Sequence, residues 1–151
     1  MKNNKQILEY DFLRLLCATI IKGSNKPIIN RNELQEKLYN YFDLEDYKIL
    51  FNDLIKVDKI DTKYIDLSGA FLSAYAYGLL TMIHDGSKDV NYIINMEDKD
   101  ALKELDKYTE EEKIASINLV NELYLSEELD KQNKPRKIAK ILVNNSDKKE
   151  D

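Results

Sequence analysis

The sequence predicts a small domain that is mainly α with one β-hairpin, and three observations carry that prediction. The 151 residues include four Gly and two Pro, which leaves little room for long loops. Apolar residues recur at three- and four-residue spacing along most of the chain, as helices that bury one face require. One stretch, AYAYGLLTMIHDG at 74–86 with VNYIIN at 90–95, switches instead to short β-competent runs on either side of the turn pair Asp85-Gly86.

In chain order, the first helix is expected over about 5–22. Its apolar set (Ile7, Leu8, Phe12, Leu15, Leu16, Thr19 and Ile20) spans a broad arc, so it should be buried on more than one side. Gly23 and Pro27 stop it. Ile28-Ile29 is a short strand suited to pair with the later hairpin. Asn30, three residues before Glu33, is an N-cap for a helix to about Phe42 that buries Leu34, Leu38 and Tyr41. Asp43 then caps a helix over 44–57 with Tyr47, Leu50, Phe51, Leu54 and Ile55 inward, and 58–65 reads as a polar connector.

A helix over 66–77 turns Leu67, Ala70, Phe71 and Ala74 inward and closes at Gly78, after which 79–84 pairs with 90–95. Two acidic helices follow. One covers 98–107 with Leu102 and Leu105 inward. The other starts at the capping box Thr109-Glu110-Glu111-Glu112 and runs to about 128 with Ile114, Ile117, Val120, Leu123 and Tyr124 inward. Ile138, Ile141 and Leu142 suit one more short amphipathic turn, and the polar end at 144–151 is expected to be disordered. The organisation is one domain over 1–143, with a hairpin-bearing core at 28–96 and acidic helices at 97–129.

Composition narrows the chemistry. An apolar content of 43% and a charged content of 34% describe a soluble globular protein. The early apolar run at 15–21 is too short to span a bilayer, and no signal-peptide core precedes it, so a cytoplasmic protein is expected. The single cysteine, Cys17, sits in the apolar stretch LLCATII and reads as a buried, inert thiol. His84 has no second histidine or cysteine with which to build a transition-metal site or a nucleophile–base pair. Glycines at 23, 69, 78 and 86 form neither a phosphate loop nor a dinucleotide fingerprint. Neither Asp43, Glu45 and Asp46 nor Asp58 and Asp61 match a calcium loop. No catalytic residue, metal or cofactor is therefore expected. Lysine outnumbers arginine 20 to 3, and Ile, Asn and Tyr are abundant, a usage that fits an A/T-rich bacterial, phage or mobile-element genome.

Strand, helix, helix, helix and hairpin, in that order over about 28–96, resemble the winged helix-turn-helix domain, with AYAYGLLTMIHDG and VNYIIN as the stretch that carries the resemblance. The connector between the second and third helices is longer than the tight turn usual in that family. The resemblance implies a DNA-binding domain with 66–77 as its recognition helix. That helix carries no Lys, Arg, Asn or Gln, the side chains that read base edges and phosphates. Its outward positions are Ser68, Gly69, Leu72, Ser73, Tyr75 and Ala76, and the wing offers Lys88 beside Asp85 and Asp89. DNA affinity rests on neutralised phosphates, and such a face neutralises few.

Leu72, Tyr75 and Ala76 are instead the candidate partner-binding residues, provided that the flanking helices leave them uncovered. Charge is also segregated. Residues 1–95 are nearly neutral; 96–130 carry 4 positive and 12 negative groups; 131–143 carry 5 positive and none negative. Lys131, Lys134, Arg136, Lys137 and Lys140, with Lys88, are candidate contacts to nucleic acid, to an acidic partner or to the chain's own acidic helices. The expected function is a small non-enzymatic regulator or inhibitor that binds another protein or a second copy of itself. The alternative is a winged-helix transcriptional regulator that binds DNA as a dimer.

Overall fold

A fifteen-residue helix, α1 (Glu9–Gly23), runs through the core and buries nine of its residues. The computed structural model describes residues 7–23, 27–83 and 90–132. Acidic Glu9 and Asp11 in the first turn and Lys22 in the last match the helix dipole. From Phe12 to Ile20 every residue except Arg14 is buried. Thr19 manages its hydroxyl inside this core by donating to the Leu15 carbonyl at 2.8 Å and meeting the Ser116 Oγ at 2.7 Å.

After α1 the chain runs through β1 (Ile28–Asn30), α2 (Arg31–Tyr39), β2 (Ile55–Lys59), β3 (Thr62–Asp66), α3 (Ser68–Ala76), β4 (Leu80–Ile83), β5 (Asn91–Ile94), α4 (Asp98–Leu105) and α5 (Glu110–Gln132). β1, β5 and β4 form an antiparallel sheet in that order, with Ile29 opposite Tyr92 and Leu80 opposite Ile94. These four side chains are buried, whereas Ile28 and Ile93, one residue out of step, face outward. Asn30 caps α2 as its sequence requires, its Oδ1 accepting from the Glu33 N–H at 2.8 Å. The capping box of α5 closes in both directions: Glu112 N donates to Thr109 Oγ1 at 3.1 Å, and Thr109 N to Glu112 Oε1 at 2.8 Å.

The expectation of a mainly α domain with one hairpin is overturned. The described residues hold five α-helices and two antiparallel sheets, of three and two strands. Two segments account for the difference. Residues 44–57 are not a helix: a short 3₁₀ turn at Glu45–Tyr47 leads into further turns, and β2 begins at Ile55. The N–H groups of Tyr47, Lys48, Leu50, Phe51 and Leu54 each donate to the carbonyl three residues back. Such turns bury Tyr47, Leu50, Phe51 and Leu54, so the apolar spacing was informative about burial and misleading about the backbone. The polar connector 58–65 lies mostly within β2 and β3, a hairpin that pairs Val57 with Tyr64 and Lys59 with Thr62. Lys56 anchors it, 2.8 Å from Asp43 and lying over the rings of Tyr39 and Phe42.

The C-terminal helices also sit rotated from expectation. Leu102 of α4 is exposed and Glu104 is buried; on α5, Ile114 and Ile117 face outward while Ala115, Ser116, Leu119, Val120 and Leu123 face the core. Small residues at 115 and 116 let α5 approach α1 closely enough for the Thr19–Ser116 contact. Among the described residues no helix is long and apolar enough to cross a membrane. The Asp85-Gly86 turn, the amphipathic turn at 138–142 and the polar end lie outside the described residues.

Burial pushes the Cys17 thiol well above its ordinary range, with the nearby Glu104 charge adding to the effect. A thiol reagent such as Ellman's reagent is therefore expected to leave the native protein untouched at pH 8 and to titrate one thiol per chain in denaturant. Reaction within minutes in native buffer would contradict this packing.

Candidate interaction face

α3 owes its position to acceptors brought from distant parts of the chain. A helix start leaves N–H groups without intrahelical partners. Here Gln35 Oε1 of α2 accepts from Leu67 N at 2.8 Å, Asp66 Oδ1 from Ser68 N at 3.0 Å, and Glu9 Oε2 of α1 from Ala70 N at 2.9 Å. The Ser68 hydroxyl also donates to Asp66, and these hydrogen bonds hold the Asp66 carboxyl below the usual carboxylate range. At the other end Gly78 takes φ +86°, Leu79 N reaches the Ala74 carbonyl at 2.9 Å, and Gly78 N reaches Tyr75 at 3.2 Å. This is the paired C-terminal closure that a left-handed glycine makes possible.

Fixed at both ends, α3 divides sharply into two faces. Ala70, Phe71 and Ala74 are buried, and the Phe71 ring stacks on Tyr92 with centroids 5.2 Å apart. Leu72 is 70% exposed and Tyr75 49%, with Ser68, Gly69 and Ala76 exposed around them. The sequence-derived triad Leu72, Tyr75 and Ala76 thus lies together on the outward side. No described element covers it, and no residue of α3 is charged.

Beyond the C-terminal end of α3 the surface changes character. Tyr77 is exposed and meets Tyr10 edge-on at 5.8 Å, while the Arg14 guanidinium lies over the Tyr10 ring at 5.7 Å. Arg14 then donates to Glu104 Oε1 at 2.5 Å, Lys107 approaches the same oxygen at 3.0 Å, and Tyr108 Oη donates to Oε2 at 3.1 Å. This network joins α1 to α4. It leaves the Tyr108 hydroxyl, raised mainly by burial, protonated across the ordinary pH range.

Sequence reasoning missed these supports because their partners lie far apart in the chain, 61 residues for Glu9 and Ala70 and 90 for Arg14 and Glu104. One signal was available: Ala101, Glu104, Leu105 and Tyr108 share a helical stripe, and Tyr108 is a good donor for an inward carboxylate. The proposed cationic contacts cannot be placed against α3. Lys88, Lys134, Arg136, Lys137 and Lys140 lie outside the described residues, as does His84, and Lys131 is described only as backbone within α5. Among the described residues no group of three or more His, Cys, Asp or Glu side chains is placed to hold a metal ion.

The two sides of α3 are expected to respond oppositely to substitution. Phe71→Ala should cost about 3–5 kcal/mol, the range for a large aromatic removed from a core. Leu72→Glu and Tyr75→Ala should each stay within about 0.5 kcal/mol of the parent, as exposed positions do. Chemical denaturation of the three variants checks this, and a large loss for Tyr75→Ala would place the tyrosine in the core. Family models, curated proteins and solved structures include no match to this chain, so its function must be argued from the geometry of this face.

Proposed function

We propose that this chain is a small regulatory or inhibitory protein that acts by docking the outward face of α3 on another protein. The carrying observation is a charge-free, exposed Leu72/Tyr75/Ala76 face on a helix held by hydrogen bonds at both ends. A face already fixed loses little conformational freedom on binding, and tyrosine supplies large contact area with few rotatable bonds. Apolar and aromatic side chains with charge kept to the rim are the usual makeup of an interface centre. A second copy of the chain is the other protein partner this face suits. Cytoplasmic placement and a phage or mobile-element origin remain part of the proposal, on the strength of composition.

One observation favours the second reading, a winged-helix regulator. β1 pairs with β5, the returning strand of the β4–β5 hairpin, so helix, strand, helix, helix and hairpin follow one another if α1 is counted as the first helix. Two features weigh against DNA as the ligand of α3. The β2–β3 hairpin is inserted between α2 and α3, and α3 brings no cation to a phosphate.

Affinity capture from the native host, followed by mass spectrometry, is expected to return a protein that Leu72→Glu and Tyr75→Ala both lose. Fluorescence anisotropy with duplex DNA should give binding no tighter than roughly 10⁻⁴–10⁻⁶ M at physiological salt. Truncation after residue 130 should remove most of that. Tight, sequence-selective DNA binding that survives the truncation would put the regulator first.

A further inference from the structure

A cavity of about 340 Å³ lies between α1, β1, α2 and α5, away from the α3 face. Its size falls within the roughly 300–1,000 Å³ of small-molecule sites. The walls are apolar, built from Leu16 and Ile20 of α1, Ile29 of β1, Leu34 of α2, and Val120 and Leu123 of α5. Polar groups gather at one end, where α2 starts and β1 meets β5. There Asn30 Oδ1 accepts from Glu33 N at 2.8 Å, and Asn91 Oδ1 accepts from Asn30 Nδ2 at 2.9 Å. Both amide oxygens are thus engaged.

Two charged residues line the same space, and they are not equivalent. The Lys37 side chain is 21% exposed and its Nζ donates to the Leu123 carbonyl at 3.2 Å; Glu33, 3.6 Å away, is 42% exposed. The cation is the more sheltered of the two, and an ammonium has three donors, more than the Leu123 carbonyl consumes. A sheltered ammonium on the wall of an apolar chamber complements a molecule with a negative head and a hydrocarbon body.

We propose that this cavity binds a small anionic amphiphile, a carboxylate or sulfonate with a short acyl or ring body. The head would meet Lys37, and the body would lie among Leu16, Ile20, Leu34 and Val120. The proposal stands apart from the α3 reading, since it uses different residues and different chemistry.

Anilinonaphthalene sulfonate fluorescence on the full chain, with displacement by decanoate below its micellar concentration, tests it. The native protein is expected to bind decanoate at one site per chain. Lys37→Gln should weaken decanoate roughly tenfold, the scale of one lost charge-assisted hydrogen bond, and leave decanol unchanged. Leu34→Trp, which fills the chamber, should abolish both, with circular dichroism verifying its fold; Leu72→Glu should change neither. If Leu34→Trp fails to fold, the Lys37→Gln comparison of decanoate with decanol decides. The proposal is overturned if the native protein does not bind decanoate, if Lys37→Gln binds it as well as the parent, or if a folded Leu34→Trp still takes it up.

Discussion

The near-complete burial of α1 is the constraint from which the rest of the structure follows. A helix carrying Phe12, Leu13, Leu15, Leu16, Cys17, Ala18 and Ile20 around its circumference must be covered on every side to exist in water. Three helices supply most of that cover: α3 and α4 beside its N-terminal half, and α5 alongside. α3, at nine residues, and α4, at eight, are too short to be stable alone, so each is a helix because α1 offers it an apolar surface. Leu16, Leu38, Leu80 and Leu119 come from four elements and belong to one continuous core.

Polar groups on α1 and its neighbours set the angles at which this cover is applied. Asp53 accepts from the Glu9 backbone at 2.7 Å, while the Glu9 side chain accepts from α3; the start of one helix therefore helps to fix the start of the next. Glu104 works differently. At 2% exposure its carboxylate is held by Arg14, Lys107 and Tyr108. Ion pairs so buried seldom add much net stability, because desolvation offsets attraction. Their value lies in geometry, because an α4 turned to bring Leu102 inward would leave Arg14 without this partner. The exposed Leu102 and the rotated register of α4 follow from that requirement.

What the sequence disclosed and what it withheld divide along the same line. Local signals were legible: the Asn30 cap, the Thr109–Glu112 box, the Gly78 stop, the β4–β5 pairing and the short strand at 28–29 all appear where their residues place them. Apolar spacing also named the buried residues of 47–54. It could not distinguish a helix from successive three-residue turns, because both bring those side chains to one side. The β2–β3 hairpin was missed for another reason. Ile55 and Val57 alternate with Lys56 and Asp58, yet Ile55 is exposed, so the strand lacks the buried stripe that marks one. At the candidate site, the outward triad on α3 followed from helical geometry alone. Its supports did not, since Glu9, Gln35 and Tyr10 gain meaning only once the chain has folded.

The distribution of charge gives the α3 face a distinctive physical signature. Contacts with DNA release counterions and weaken steeply as salt rises. An association seated on Leu72, Tyr75 and Ala76 has few counterions to release, and its driving force is removal of apolar area from water, which excluded salts strengthen. The acidic residues of α4 and α5 would enter as a long-range field, screened within about 10 Å at 0.1 M salt. They would influence how fast a partner arrives more than how firmly it is held. Binding through this face should therefore be nearly flat, or rise slightly, between about 50 and 500 mM salt, because apolar desolvation would dominate it. A partner whose capture collapses over that range is held by charges elsewhere on the chain, and the α3 face would not be its site.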